Sequence, residues 1–372
     1  MQAYKLDGLK SANAQAAKYM HISAHQGALM VLCGNIGASF LLLPGILGGQ
    51  FQTSAWFVLV LGGAVGMLCC ALIHAAYKVS ESKSFEELMQ HAFGRIMGNA
   101  VSRLVRLASL FRAGITIGIF ACTVKGLVLP RQSNVTLCLL LCAALLFILR
   151  CDATTSARIC SIGMLFFASA LALMLTCAPA MHSAYILPIE LPAKSELSQM
   201  VFYILFCASG ADILLYLYPH LQKNRLRSGV IGSLLGCGAK LYALYICCSV
   251  FGFYAIASYP FAPISMYKSN NLIGIDRPEL ILMIFFTLIS LTPAHLYASA
   301  AIRTEKESKS SSRRDLVLTL FAGAALFVFA VMIKSIEQIP CILELLGTLF
   351  LFTGIFLPLF LLFYSLLKRR SV

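Results

Sequence analysis

The sequence predicts an all-α integral membrane protein of ten transmembrane helices, laid out as a 5+5 inverted repeat with discontinuous helices one and six. Three observations point there. Of its 372 residues 59% are hydrophobic and only 12% charged, whereas soluble domains run near 45–50% and 25%. Ten apolar runs follow one another along the chain, and about 20 such residues span a bilayer once. Two of those runs, the first and the sixth, are interrupted by small and polar residues at corresponding places in the two halves.

The runs lie at roughly 27–48, 56–77, 108–129, 135–149, 159–179, 200–218, 229–257, 278–300, 315–333 and 342–367. They leave no room for a second folded unit. The expected organisation is an N-terminal tail (1–24), one polytopic membrane domain (25–367) and a short basic tail (368–372). Repeat one covers about 27–179 and repeat two about 200–367. The stretch before the first run is polar and mildly basic (Lys5, Lys10, Lys18), unlike a cleavable signal with an early apolar core. The first helix is therefore expected to stay.

The net charge of +14 does not point to nucleic acid, because the basic residues stand in short clusters between apolar runs. With the N-terminus in the cytoplasm and the runs alternating, the cytoplasmic side collects 23 of the 29 Lys and Arg residues. That set includes Arg112 and Lys240, while the other face keeps Lys125, Arg131, Lys194, Lys268, Arg277 and Lys334. Such a bias sets orientation, so both termini are expected inside. Most of the fourteen cysteines lie within apolar runs, where Cys acts as a small hydrophobe, and none stands in a zinc-type spacing.

Between the runs, residues 80–107 mix Glu86, Glu87, Arg95, Arg103 and Arg106 with apolar residues at helical spacing. They predict an amphipathic interfacial helix leading into the third crossing. The Pro-containing stretches at 179–199 and 258–277 are long enough to cap the external face.

The first crossing reads Gly34-Asn35-Ile36-Gly37-Ala38-Ser39 before Leu43-Pro44, and the sixth reads Ser209-Gly210-Ala211-Asp212. Gly costs about 1 kcal/mol relative to Ala inside a helix, and Asp at mid-membrane about 2.5–3.5 kcal/mol. Non-helical backbone at that depth is tolerable only where it lines a cavity. A half-helix N-terminus there carries roughly +0.5 charge and suits an anionic group. The expected occupant is a small molecule with a carboxylate, such as an amino acid. The candidate ligand-binding residues are Asn35, Ile36, Gly37, Ala38, Ser39, Thr116, Ser209, Gly210, Asp212 and Ser290. Backbone amides around Ile36 to Ser39 and Ser209 to Gly210 are expected to hold the carboxylate. Asp212 is expected either to bind the amino group or to hold the break. Close packing of small residues is the competing explanation for each break taken singly.

Other polar residues are expected to be structural. Arg112 is expected to snorkel to the cytoplasmic interface, His295 to be a hydrogen-bonded packing residue, and His74 and His220 to sit at the interface. No phosphate-binding G-x-x-x-x-G-K-[ST], no H-E-x-x-H and no G-x-S-x-G occurs, so neither an enzyme nor any cofactor is expected.

A series of landmarks, in order, resembles the B subunit of bacterial spore germinant receptors, a branch of the amino acid–polyamine–organocation superfamily. They are His21-Ile22-Ser23, Asn35-Ile36-Gly37-Ala38, Leu43-Pro44, Ser84-Phe85-Glu86-Glu87-Leu88 and Phe93-Gly94-Arg95-Ile96-Met97-Gly98. Leu129-Pro130, Ala157-Arg158-Ile159, Ile186-Leu187-Pro188, Gly210-Ala211-Asp212, Tyr218-Pro219, Ile275-Asp276-Arg277-Pro278-Glu279 and Tyr297-Ala298 continue it. Ser39 and Asp212 stand where the family commonly has Gly and Glu. The resemblance implies a LeuT-like fold, residence in the spore inner membrane, and work alongside an A subunit and a lipoprotein C subunit. It also implies that a bound nutrient signals germination. An amino acid permease with the same site, and a membrane scaffold subunit with no small ligand, are the alternatives.

Overall fold

A computed structural model describes residues 22–149, 151–187, 190–269, 278–302 and 312–370. His21, Pro188, the run from Ile275 to Arg277 and most of the Arg303–Arg314 loop lie outside the described residues, as does the N-terminal tail before Ile22.

The first predicted crossing is two helices. Helix α1 (Ala24–Asn35) starts at Ser23, whose hydroxyl accepts from the Gln26 amide while the Gln26 side chain accepts from the Ser23 amide. This reciprocal arrangement satisfies two donors that a helix start otherwise leaves open. The helix ends where Gly37 takes φ +70°, a left-handed conformation that a Cβ disfavours. One 3-10 turn (Ala38–Leu41) leads into α2 (Leu43–Phe51), with Pro44 in its first turn. Gln52 turns the chain at φ 44° before α3 (Ala55–Ser80). Helical residues run almost unbroken over Leu43–Ser80. At 1.5 Å per residue that stretch would be about 57 Å long, nearly twice the hydrocarbon thickness, so the turn at Gln52 separates the end of one crossing from the next.

Helix α4 (Phe85–Leu127) is capped by Ser84, which accepts from the Glu87 amide at 2.9 Å. Gly94, at φ 75° and ψ 175°, breaks it. Residues 85–93 are the expected amphipathic segment. The longer part then begins at 95 rather than at 108, because the charged stretch continues as helix; Arg106 reaches back to Glu86 at 2.7 Å. Helices α5 (Asn134–Ile148) and α6 (Ala153–Met174) follow.

The sixth crossing is also interrupted. Helix α7 (Leu197–Ala208) stops, residues 211–213 form a 3-10 turn, and the one-turn helix α8 (Leu214–Leu217) continues at an angle of 43° to it. Both predicted discontinuities are present. Helices α9 (Arg225–Phe251), α10 (Ala262–Ser269), α11 (Pro278–Ile302), α12 (Ser312–Val331), α13 (Ile339–Phe350) and α14 (Leu357–Arg370) complete the order, with a π-helical segment at Leu351–Phe356 between the last two.

Among the described residues six helical stretches are long and apolar enough to cross a membrane, seven when the bent pair counts as one. Two shorter apolar helices, Asn134–Ile148 and Leu316–Val331, fall on the fourth and ninth predicted runs. Phe147 is 87% exposed and Phe321 77% exposed. Such side chains would be a liability in water and are what a span presents to lipid.

The broken helices are tied to each other at one end. Ile22 pairs with Leu221 in a single parallel bridge, its amide donating to the His220 carbonyl at 3.0 Å. At the end bearing the Gln52 turn, Thr53 and Ser54 donate to Glu190 and Glu196 of the loop before α7. Part of the 179–199 stretch thus lies against that turn, as expected of a cap.

Gly94→Ala places a methyl group into open space, so its effect isolates backbone strain. It is expected to lower stability by about 1–3 kcal/mol, read as an earlier unfolding transition of the purified protein in detergent.

Candidate functional site

The two interruptions meet face to face. A Cβ on Gly210 would collide with the backbone of Asn35, so the absence of a side chain there lets the breaks touch. Between them lies a cavity of about 30 Å³, room for about two waters. Gly34, Asn35, Ile36 and Gly37 line it from the first break, and Phe206 and Ser209 from the sixth. Arg112, Thr116 and Ile119 come from α4, Pro293 and Tyr297 from α11, and Leu346 from α13.

Of the ten predicted site residues, five line this cavity: Asn35, Ile36, Gly37, Thr116 and Ser209. Gly210 forms the crossing point. Ala38 and Ser39 belong to the 3-10 turn after Gly37, and their side chains lie outside the described residues. Asp212 stands behind the cavity wall. Ser290 is buried but off the wall, and its hydroxyl has no partner among the described residues. Two of the expected carboxylate donors are already engaged: the Ile36 amide donates to Cys33 O at 3.2 Å and the Ser209 amide to Phe206 O at 3.0 Å. Both close the last turn of the helix before them, which is how a helix end satisfies its own groups.

The principal correction concerns Arg112. Rather than snorkelling, it is 5% exposed and sits beside the sixth break. Its Nη1 donates to Asp212 Oδ1 at 2.8 Å and Oδ2 at 2.7 Å, and to the Ser209 carbonyl at 2.9 Å. The guanidinium also packs over the Tyr297 ring, 5.0 Å from its centroid. Snorkelling loses here because a buried carboxylate and an orphan carbonyl together offer more than the interface does. Lys240 is the second correction: it does not belong to the cytoplasmic cluster but is buried, its Nζ donating to the Cys207 carbonyl at 2.8 Å.

Lys240 and Arg112 thus complete the carbonyl end of α7. The last carbonyls of a helix lack intrahelical donors and carry the negative end of its dipole, so cations suit them. Tyr297 Oη also lies 3.0 Å from the Ser209 carbonyl and 3.2 Å from Asp212 Oδ1. Thr353, in the π-helical segment, donates to Asp212 Oδ2 at 2.9 Å. Sequence reasoning did not assign Lys240, Tyr297 or Thr353 to the site. The π-helical register that turns Thr353 inward has no sequence signal, whereas a lysine inside an apolar run was visible as one.

Of the expected structural residues, His295 is buried and its Nε2 lies 2.8 Å from Ser156 Oγ, linking α11 to α6. His74 Nδ1 lies 3.0 Å from Tyr218 Oη.

Asp212 and Arg112 form a buried pair, and removing one partner strands the other. Asp212→Ala is expected to cost about 3–5 kcal/mol of stability. Arg112→Met combined with Asp212→Leu is expected to recover most of that loss, a non-additivity that a double-mutant cycle of thermal unfolding reads directly.

Residues 21–339 match the family model described as spore germination protein. No curated protein matches the chain. Among solved structures, the chain is similar in fold to a Na+-coupled sialic acid symporter in a substrate-bound outward-open state. The TM-score is 0.63 at 10% identity, covering 90% of this chain and 79% of that one. It is also similar to a nucleobase-cation-symport-1 family transporter in a closed conformation with bromovinylhydantoin bound. There the TM-score is 0.56 at 14% identity, covering 94% of this chain and 80% of that one. At such identities the likeness shows the fold: an all-helical, LeuT-type transporter architecture.

Proposed function

Because this chain belongs to the spore germination protein family, a multi-pass, permease-like group, we propose that it is the membrane subunit of a spore germinant receptor. In this reading a small nutrient, an amino acid, settles between the broken helices. One observation carries it: two interrupted helices face a shared cavity, and among the described residues the buried charged side chains gather at the end of α7 beside it. Small-residue packing alone accounts for glycines, but not for a cavity lined by Arg112, Thr116 and Tyr297.

The cavity of about 30 Å³ is smaller than an amino acid, so occupancy requires the surrounding helices to shift. A ligand biases such a shift only through its differential affinity for the two arrangements. Moving a population from 1:99 to 99:1 takes about 5.5 kcal/mol of that difference. The 43° bend of the sixth crossing and the Gly37 turn are the places where the chain already departs from helix, and they are the natural hinges. The shift is then passed to partner subunits, an A subunit and a lipoprotein C subunit, in the spore inner membrane.

The same proposal takes ten crossings in two five-helix halves, about 27–179 and 200–367, with both termini in the cytoplasm. Burial of Arg112 and Lys240 withdraws two cations from the cytoplasmic count without overturning its asymmetry. The Gly37–Ser39 amides supply further donors at the edge of that site, since the first N–H groups of a 3-10 turn have no acceptor within it.

Transport is the second reading, supported by the symporter fold of the structural neighbours. The two separate cleanly. The purified chain in proteoliposomes is expected to bind radiolabelled amino acid while the lumen gains no more label than protein-free vesicles. Accumulation above that level assigns a permease. Thr116→Phe, which overfills the cavity, is expected to abolish the ligand-induced rise in melting temperature while the unliganded transition falls by about 1–3 kcal/mol of stability and stays cooperative. A screen of amino acids, sugars and nucleosides that moves no melting temperature leaves a scaffold subunit.

A further inference from the structure

The buried charges gather around the end of α7. Among the described residues three Lys, Arg, Asp or Glu side chains are buried: Arg112, Asp212 and Lys240. Arg112 and Asp212 neutralise each other. Lys240 meets a backbone carbonyl, and the dipole of α7 offsets its charge only in part. Lys240 is not part of the cavity wall, so the cation that the cavity itself meets is the Arg112 guanidinium, held from behind by Asp212.

Arg112 is half used. Among the described residues its hydrogen bonds leave from Nη1, to Ser209 O, to both oxygens of Asp212 and to Tyr297 Oη at 3.2 Å. Nε and Nη2, with three N–H groups between them, make no hydrogen bond among the described residues. The side chain is 5% exposed and lines the cavity. The Nε–Nη2 edge of a guanidinium is a planar fork that matches a carboxylate with two parallel hydrogen bonds.

Asp212, by contrast, is full. Oδ1 has Arg112 and Tyr297, and Oδ2 has Arg112 and Thr353. A ligand ammonium would have to displace one of them.

We propose that Arg112 is the anion receptor of this site and that the ligand class is the small monocarboxylates, recognised through the carboxylate and not through an amino group on Asp212. Asp212 is a positioning residue that fixes the guanidinium, and Ile119, Phe206 and Leu346 form the apolar wall that keeps the remainder of the ligand small. This rests on the midplane-ligand reading above and sharpens it.

The test is a ligand series on the full chain in lipid nanodiscs, read by isothermal titration and thermal shift. Alanine carries both groups, propionate and lactate lack the ammonium, and alaninamide lacks the carboxylate. Propionate and lactate are expected to bind within about tenfold of alanine. Alaninamide is expected to bind at least about tenfold more weakly, as loss of a charge-assisted hydrogen bond implies. Arg112→Gln with Asp212→Asn removes the charges as a pair and is expected to lose the carboxylate response. Should that variant fail to fold, the series on the unaltered chain decides alone. Alaninamide binding as tightly as alanine, or propionate and lactate failing where alanine binds, overturns the assignment of Arg112 and Asp212 but leaves the midplane site standing. No response to any amino acid, monocarboxylate, amide, sugar or nucleoside removes the site itself.

Discussion

The end of α7 is the constraint on which the rest of the architecture turns. A helix that stops inside a bilayer exposes carbonyls where no water can meet them, and each one left unmet costs several kcal/mol. Here three other elements supply the donors. Lys240 from α9 takes the Cys207 carbonyl, while Arg112 from α4 and Tyr297 from α11 take that of Ser209. The interruption is therefore a property of the whole bundle and not of its own ten residues. Asp212 follows immediately, at the start of the next helical turn, where negative charge is favoured. Cations at the carbonyl end and a carboxylate at the amide end make the break electrostatically consistent on both sides.

The first break is handled differently. Among the described residues no charged side chain bonds to it, and backbone geometry shapes it. Gly37 takes a conformation open to glycine, the Ile36 amide closes the final turn of α1, and Asn35 donates its side-chain amide to the Val31 carbonyl at 3.1 Å. The two breaks then press together because Gly210 carries no side chain. The sixth break is held by ion pairing and the first by local turns. The cavity between them thus has a charged wall on one side and a backbone wall on the other.

Much of this was readable from the residues. Apolar runs of about twenty gave the membrane class, and glycine with Asn, Ser or Asp at mid-run marked both interruptions, because those residue types are expensive there for a general reason. Five of the ten candidate residues line the cavity: four stand at the breaks, Asn35, Ile36, Gly37 and Ser209, and Thr116 reaches it from α4. The failures are equally instructive. Arg112 reads as an interfacial cation because a long side chain near the cytoplasmic end of a run can reach water. Its alternative, a carboxylate one hundred residues away, is invisible to any local pattern. Lys240 was drawn into a nearby basic cluster for the same reason. Thr353 and Tyr297 are ordinary residues in apolar helices until the packing of α11 and the π-helical segment aims them at Asp212. Ser290, conversely, looked polar enough to be useful and sits off the wall.

What the sequence by itself determined is the solvent, the helices and the two places where helix fails, since these depend on residue chemistry summed over short windows. Which side chains converge on those failures was decided by the tertiary structure alone. The physical reason is range. Hydrophobic transfer and helix propensity act within a turn or two of chain, whereas a buried charge chooses its partner from every element that packs against it, and only the packed bundle says which elements those are.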